Sequence, residues 1–74
     1  MKLVTIGIGD DTDGVHDCLK IMDDEDVDSG PIYLQGTQVN DPEALAESMP
    51  GPGEVLSVVP REVFLRAARR ILGE

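Results

Sequence analysis

The sequence predicts a small α/β or α+β domain in which three short strands alternate with three helices, in the order β-α-β-α-β-α. Short apolar and β-branched runs end at glycine or proline, as strands do, and apolar residues recur with helical spacing between these runs. Such alternation favours helices packed on a sheet with right-handed crossovers. Seventy-four residues leave room for one domain, so residues 1–74 are taken as a single acidic domain.

The first strand is predicted at residues 2–8 (KLVTIGI), which are mostly apolar or β-branched and are followed by Gly9. A helix is predicted next, because four apolar residues fall at i, i+3, i+4 and i+7. These residues are Val15, Cys18, Leu19 and Met22. Thr12 or Asp13 would cap this helix, and the acidic run at 23–28 would end it.

The second strand is predicted at residues 31–39 (PIYLQGTQV), with Gly36 as the position of a bulge. A short helix then starts at Pro42, with Asp41 as its N-cap, and ends at Met49 before the PGPG segment. The third strand is predicted at residues 54–59 (EVLSVV).

The final helix is predicted at residues 60–72, opened by proline and closed by Gly73. Its apolar face is predicted to consist of Phe64, Ala67, Ala68 and Ile71.

The chain is poor in large apolar side chains. Leu, Ile, Val and Phe make up 21 of the 74 residues, and Tyr33 and Phe64 are the sole aromatic residues. A domain of this size buries only about 60% of the surface of its unfolded chain. We therefore expect a marginally stable monomer or a homo-oligomer in which a second subunit completes the core.

Net charge, hydropathy and cysteine content narrow the possible partners and location, and the net charge is −9. A nucleic-acid backbone is bound through a positive surface, so direct nucleic-acid binding is not expected. The sequence has no apolar run near the roughly 20 residues that cross a bilayer, so no membrane association is expected. The single cysteine, Cys18, cannot form an internal disulfide, which favours a cytoplasmic location.

The acidic residues are concentrated in the first half of the chain. Residues 1–37 contain nine acidic and two basic residues, a net charge of −7. One acidic cluster consists of Asp23, Asp24, Glu25, Asp26 and Asp28. Charge complementarity steers association, so this cluster predicts a non-enzymatic binding or inhibitor protein that occupies the basic surface of a protein partner. Such acidic inhibitors imitate phosphate spacing and are typical of phages and mobile elements.

Two other functions stay open. A homo-oligomer could bind a small anion between its subunits through Arg66, Arg69 and Arg70, of which Arg66 and Arg70 lie one helical turn apart. Its other candidate ligand is a weakly bound Mg²⁺ or Ca²⁺ at Asp10, Asp11 and Asp13, with no other cofactor expected.

The third function is a small metal-dependent hydrolase, in which His16 would be the general base. Adaptation to high salt would explain the acidity without any partner.

Overall fold

A computed structural model describes residues 1–9 and 19–74 of the chain. Three strands form an antiparallel sheet in the order β1-β2-β3. They are β1 (Leu3–Ile8), β2 (Lys20–Asp24) and β3 (Ile32–Gln35). Two further short strands, β4 (Thr37–Gln38) and β5 (Ser57–Val58), pair with each other as an antiparallel ribbon.

Two helices complete the described fold. Helix α1 (Pro42–Ser48) lies between β4 and β5, and helix α2 (Arg61–Ile71) follows β5. The described part of the chain is therefore α+β, which confirms that alternative of the predicted fold class. The strictly alternating order is not confirmed, because the elements run β1-β2-β3-β4-α1-β5-α2.

The first predicted helix is wrong over its last residues. Val15 and Cys18 lie outside the described residues, but Met22 belongs to strand β2 rather than to a helix. In β2, Ile21 is buried while its neighbour Met22 points to the opposite face of the sheet. Pairing with β1 on one side and β3 on the other satisfies the backbone of this segment, and four apolar residues with helical spacing could not predict that pairing.

The predicted second strand is divided at Gly36, where a bulge was expected. Gly36 separates β3 from β4 and lies against β5: a Cβ atom at this position would stand 2.7 Å from the carbonyl oxygen of Val58. The chain thus leaves the main sheet at Gly36 and enters the small ribbon. The third predicted strand is shorter than expected, since only Ser57–Val58 pairs.

Helix α2 packs on one face of the sheet, over β1 and β2. The contact is close because the helix crosses Gly7, where a Cβ atom would overlap the Val63 carbonyl oxygen and lie 2.9 Å from the Ala67 Cβ. A β-bulge between Thr5 and Gly7 places Gly7 opposite Ile21. Glycine at this position therefore sets the distance between helix and sheet.

The core of the described residues is small. Its buried hydrophobic residues are Ile21, Val63 and Ala67, with Ile6 and Val59 packed against them. The buried stripe of α2 thus contains Val63 and Ala67, whereas Phe64 and Ile71 of the predicted face are exposed. Ala67 is buried as predicted, but Phe64 was wrongly taken for a core residue in place of its smaller neighbour Val63.

Helix α1 forms as predicted. The carboxylate of Asp41 accepts a hydrogen bond from the Glu43 N–H at 3.0 Å, and the helix ends at Met49 in the left-handed conformation. Helix α1 has no buried residue and lies at the periphery of the fold. Neither it nor any other helix among the described residues is long and apolar enough to cross a bilayer.

Candidate protein-docking surface

An apolar groove runs between the edge strand β3 and helix α2. The register places Leu34 opposite Ile21 and Ile32 opposite Asp23, so both β3 side chains lie on the face of the sheet that carries α2. Helix α2 packs over β1 and β2, which leaves β3 beside it. The groove has a volume of about 310 Å³ and is lined by Ile21, Ile32, Leu34, Phe64, Ala67, Ala68 and Ile71.

Large apolar side chains on the walls of this groove are open to solvent. Leu34 is 60% exposed, Phe64 58% and Ile71 56%. Single exposed apolar residues are common on protein surfaces, but a contiguous apolar patch with polar surroundings marks an interaction site. The groove therefore meets a general criterion for a binding surface.

An acidic pocket adjoins the groove at the C-terminal end of α2. This pocket has a volume of about 370 Å³ and is lined by Val4, Ile6, Asp23, Glu25, Asp28, Arg70 and Ile71. Ile71 lines both cavities, so the apolar groove and the carboxylate side chains lie next to each other at this residue. Three of the five acidic residues predicted to bind a partner line this pocket.

Asp24, a fourth residue of the predicted acidic cluster, is buried instead. Only 6% of its surface is exposed, and its Oδ1 accepts hydrogen bonds from the Lys2 N–H at 3.0 Å and the Asp26 N–H at 3.1 Å. The hydrogen bond from Lys2 and, to a smaller extent, that from Asp26 hold the pKa of Asp24 below its ordinary value. Burial has the opposite effect and is outweighed. Asp24 therefore joins the start of β1 to the turn after β2.

Two acidic residues of this turn, Glu25 and Asp26, have partners at the start of the chain. The Glu25 carboxylate lies 2.6 Å from the Lys2 Nζ, and the Asp26 carboxylate lies 3.3 Å from the Met1 amino nitrogen. The Glu25 N–H also donates to the Lys2 carbonyl oxygen at 3.0 Å. Ion pairs this exposed contribute little to stability, but they reduce the local charge that a partner would meet at this turn.

The arginines predicted to bind an anion have different surroundings. Arg66 is half-buried, and its Nη1 donates to the Ile8 carbonyl oxygen at 2.7 Å, which ties α2 to the end of β1. Arg70 lines the acidic pocket, and Arg69 is exposed in the last turn of the helix. An anion site at these three residues stays a prediction.

The metal and catalytic candidates Asp10, Asp11, Asp13 and His16 lie outside the described residues, as does Cys18. Within residues 1–9 and 19–74, no cluster of three or more His, Cys, Asp or Glu residues is placed to hold a metal ion. The weak Mg²⁺ or Ca²⁺ site, the hydrolase and the cytoplasmic location stay predictions.

Sequence reasoning missed the apolar groove. The alternation of Ile32 and Leu34 around Tyr33 was a usable signal, because it puts two apolar side chains on one face of an edge strand. Which part of that face α2 would leave open could not be read from the sequence. Comparison with protein-family models, curated proteins and solved structures finds no match to this chain.

Proposed function

We propose that this chain is a non-enzymatic binding domain that holds a basic, amphipathic segment of a protein partner. The docking surface consists of the apolar groove between β3 and α2 together with the adjoining acidic pocket. The observation that carries the proposal is that Ile71 lines both, which puts apolar and negatively charged surface side by side.

The two parts of the docking surface have different physical roles. Removing apolar groove surface from water supplies affinity, at roughly 25 cal/mol for each Å² buried. The carboxylates at the pocket steer a basic partner and reject an acidic one, since charge complementarity acts mainly on association rate and specificity. The apolar part would retain the partner and the acidic part would select it.

The surroundings of the acidic residues support a role in partner contact for some of them and not for others. Asp23, Glu25 and Asp28 line the pocket beside the groove. Asp24 accepts two backbone hydrogen bonds and Asp26 lies beside the Met1 amino group, so these two residues serve the fold. Glu25 is paired with Lys2, so we assign recognition to Asp23 and Asp28.

A capture experiment with matched variants tests the proposal. The immobilised chain should retain a basic protein from a cell lysate at low salt and release it at about 0.5 M salt, where screening is strong. Asp23→Asn with Asp28→Asn should abolish capture. Glu43→Gln with Glu47→Gln, which removes the same charge from exposed positions of α1, should leave it intact.

Leu34→Ser provides the test of the groove, because Leu34 is exposed and its replacement leaves the buried cluster intact. Capture should be lost in this variant while its circular dichroism matches that of the parent chain. Capture that survives both the Asp23/Asp28 and the Leu34 changes, or that is insensitive to salt, would contradict the proposed docking surface.

A further inference from the structure

We infer that the partner segment is an α-helix that lies over β3, beside α2 and antiparallel to it. The inference rests on the proposed docking surface and adds the shape and direction of its occupant. Three features of the groove lead to it: its width, the spacing of its apolar residues and the charges at its two ends.

The width of the uncovered sheet suits one helix. Helix α2 packs mainly over β1 and less over β2, and β3 lies two strands from β1. Packed helices lie about 8–10 Å apart, which is close to two strand spacings of about 4.8 Å each. A helix beside α2 would therefore lie over β3 and cover Ile32 and Leu34.

The apolar residues of α2 along the groove have the spacing of a helix-packing ridge. Phe64, Ala68 and Ile71 fall at i, i+4 and i+7, a length of about 10 Å along the axis. Two large side chains flank a small one, so an incoming helix could approach most closely at Ala68. Grooves of this kind accept helices through apolar residues at i, i+3 or i+4 and i+7.

An added strand fits the groove less well. Strand β3 has only four residues, and at Gly36 the chain leaves the sheet to form the ribbon of β4 and β5. An extended peptide would find few backbone groups to pair with along so short an edge. A second copy of the chain is also disfavoured, since each copy carries a net charge of −9.

The charges at the two ends give the helix a direction. At the C-terminal end of α2, Asp23 and Asp28 outnumber Arg70 in the pocket. Arg61 lies at the N-terminal end of α2, where it lines a cavity with Phe64. The N-terminus of a helix carries a partial positive charge and its C-terminus a partial negative charge. A helix with its N-terminus at the acidic pocket and its C-terminus near Arg61 places each partial charge beside a side chain of opposite charge. Such a helix runs antiparallel to α2.

A synthetic helix with a nitroxide label tests this orientation. The probe is a peptide of about 14 residues, four helical turns, with leucine at i, i+3, i+4 and i+7 and lysine elsewhere. In amide NMR spectra of the ¹⁵N-labelled chain, a label at the peptide N-terminus should broaden Asp23 and Asp28. A label at the peptide C-terminus should broaden Arg61. The reversed pattern, or equal broadening from both labels, would overturn the orientation.

Two control peptides separate shape from charge. A peptide of the same composition with its four leucines at i, i+2, i+4 and i+6 has the pattern of a strand, and an all-lysine peptide has no apolar face. The helical peptide should bind about tenfold more tightly than either control and should gain helical circular dichroism on binding. Tighter binding by the alternating peptide, with amide shifts along β3, would replace the helix with an added strand.

Ala68→Arg provides the matched variant, because it fills the narrow part of the groove. We expect peptide affinity to fall about tenfold, whereas Ala46→Arg, on the exposed surface of α1, should leave it unchanged. If the peptide shifts the groove and pocket amides but binds Ala68→Arg and Ala46→Arg with equal affinity, the docking surface stands and the helical occupant is rejected. If no peptide shifts these amides, the docking surface itself fails. Dimerisation of the free chain through the groove, seen by sedimentation, would replace the partner helix with a second copy.

Discussion

Gly7 is the residue at which the sheet and helix α2 approach most closely. In Gly7→Ala the added methyl group would overlap the Val63 carbonyl oxygen, which belongs to the backbone and cannot rotate away. Overpacking of this kind costs about 1–3 kcal/mol, and we expect the upper end because α2 as a whole must shift. Chemical denaturation should show this loss in the free energy of unfolding.

Gly30→Ala is the control for Gly7→Ala. The methyl group there would lie 3.1 Å from Cγ1 of Val27, an exposed side chain in a turn. We expect a change within about 0.5 kcal/mol, as for most surface substitutions. Equal losses of unfolding free energy in the two variants would show that the packing of α2 on the sheet does not require glycine at position 7.

Asp24 should make the stability of the chain depend on acid. Its pKa is lowered in the folded chain, first by the hydrogen bond from the Lys2 N–H and next by that from Asp26. The unfolded chain then binds the proton more readily, so the stabilising contribution is present above the ordinary aspartate pKa of about 3.9. It is lost as the pH falls through the lower folded value.

Thermal unfolding between about pH 7 and pH 2 measures this contribution. Asp24→Asn should lower the midpoint at neutral pH and flatten its fall in acid, because the variant has no carboxylate to protonate there. Asp28→Asn, at an exposed position, is the control and should keep the acid response of the parent chain. An unaltered acid response in Asp24→Asn would contradict the role given to this carboxylate.

At the scale of elements, the sequence predicts best where local chemistry decides the structure. The start of α1 follows from Asp41 and Pro42, which serve as cap and first-turn residue. Strand β1 and helix α2 also lie close to their predicted bounds, because an apolar run before glycine and a long periodic segment are strong signals.

Strand β2 shows where such local signals are insufficient. Leu19 and Met22 have helical spacing, but Ile21 lies in the core only because β1 and β3 pair on either side of it. The groove was hidden for a related reason. Phe64 and Ile71 look like core residues in the sequence, and their exposure follows from α2 packing through Val63 and Ala67. Contacts between distant segments decided both outcomes.

At the scale of the whole molecule, the charge has two effects of opposite sign on the response to salt. With 15 acidic and 6 basic residues, repulsion within the chain exceeds the gain from the exposed pairs at Lys2–Glu25 and Met1–Asp26. Salt should therefore stabilise the free chain and weaken its binding to a basic partner. The Debye length is about 10 Å at 0.1 M, so most of the stability gain should be complete near about 0.2 M.

Thermal midpoints and partner affinity measured over the same salt series test this prediction. The Glu43→Gln and Glu47→Gln chain carries two fewer negative charges, so its midpoint should rise less with salt while its affinity follows that of the parent chain. A midpoint that continues to rise into molar salt would instead indicate adaptation to high salt as the reason for the acidity. Affinity that increases with salt would contradict charge steering and leave the apolar groove as the sole source of binding.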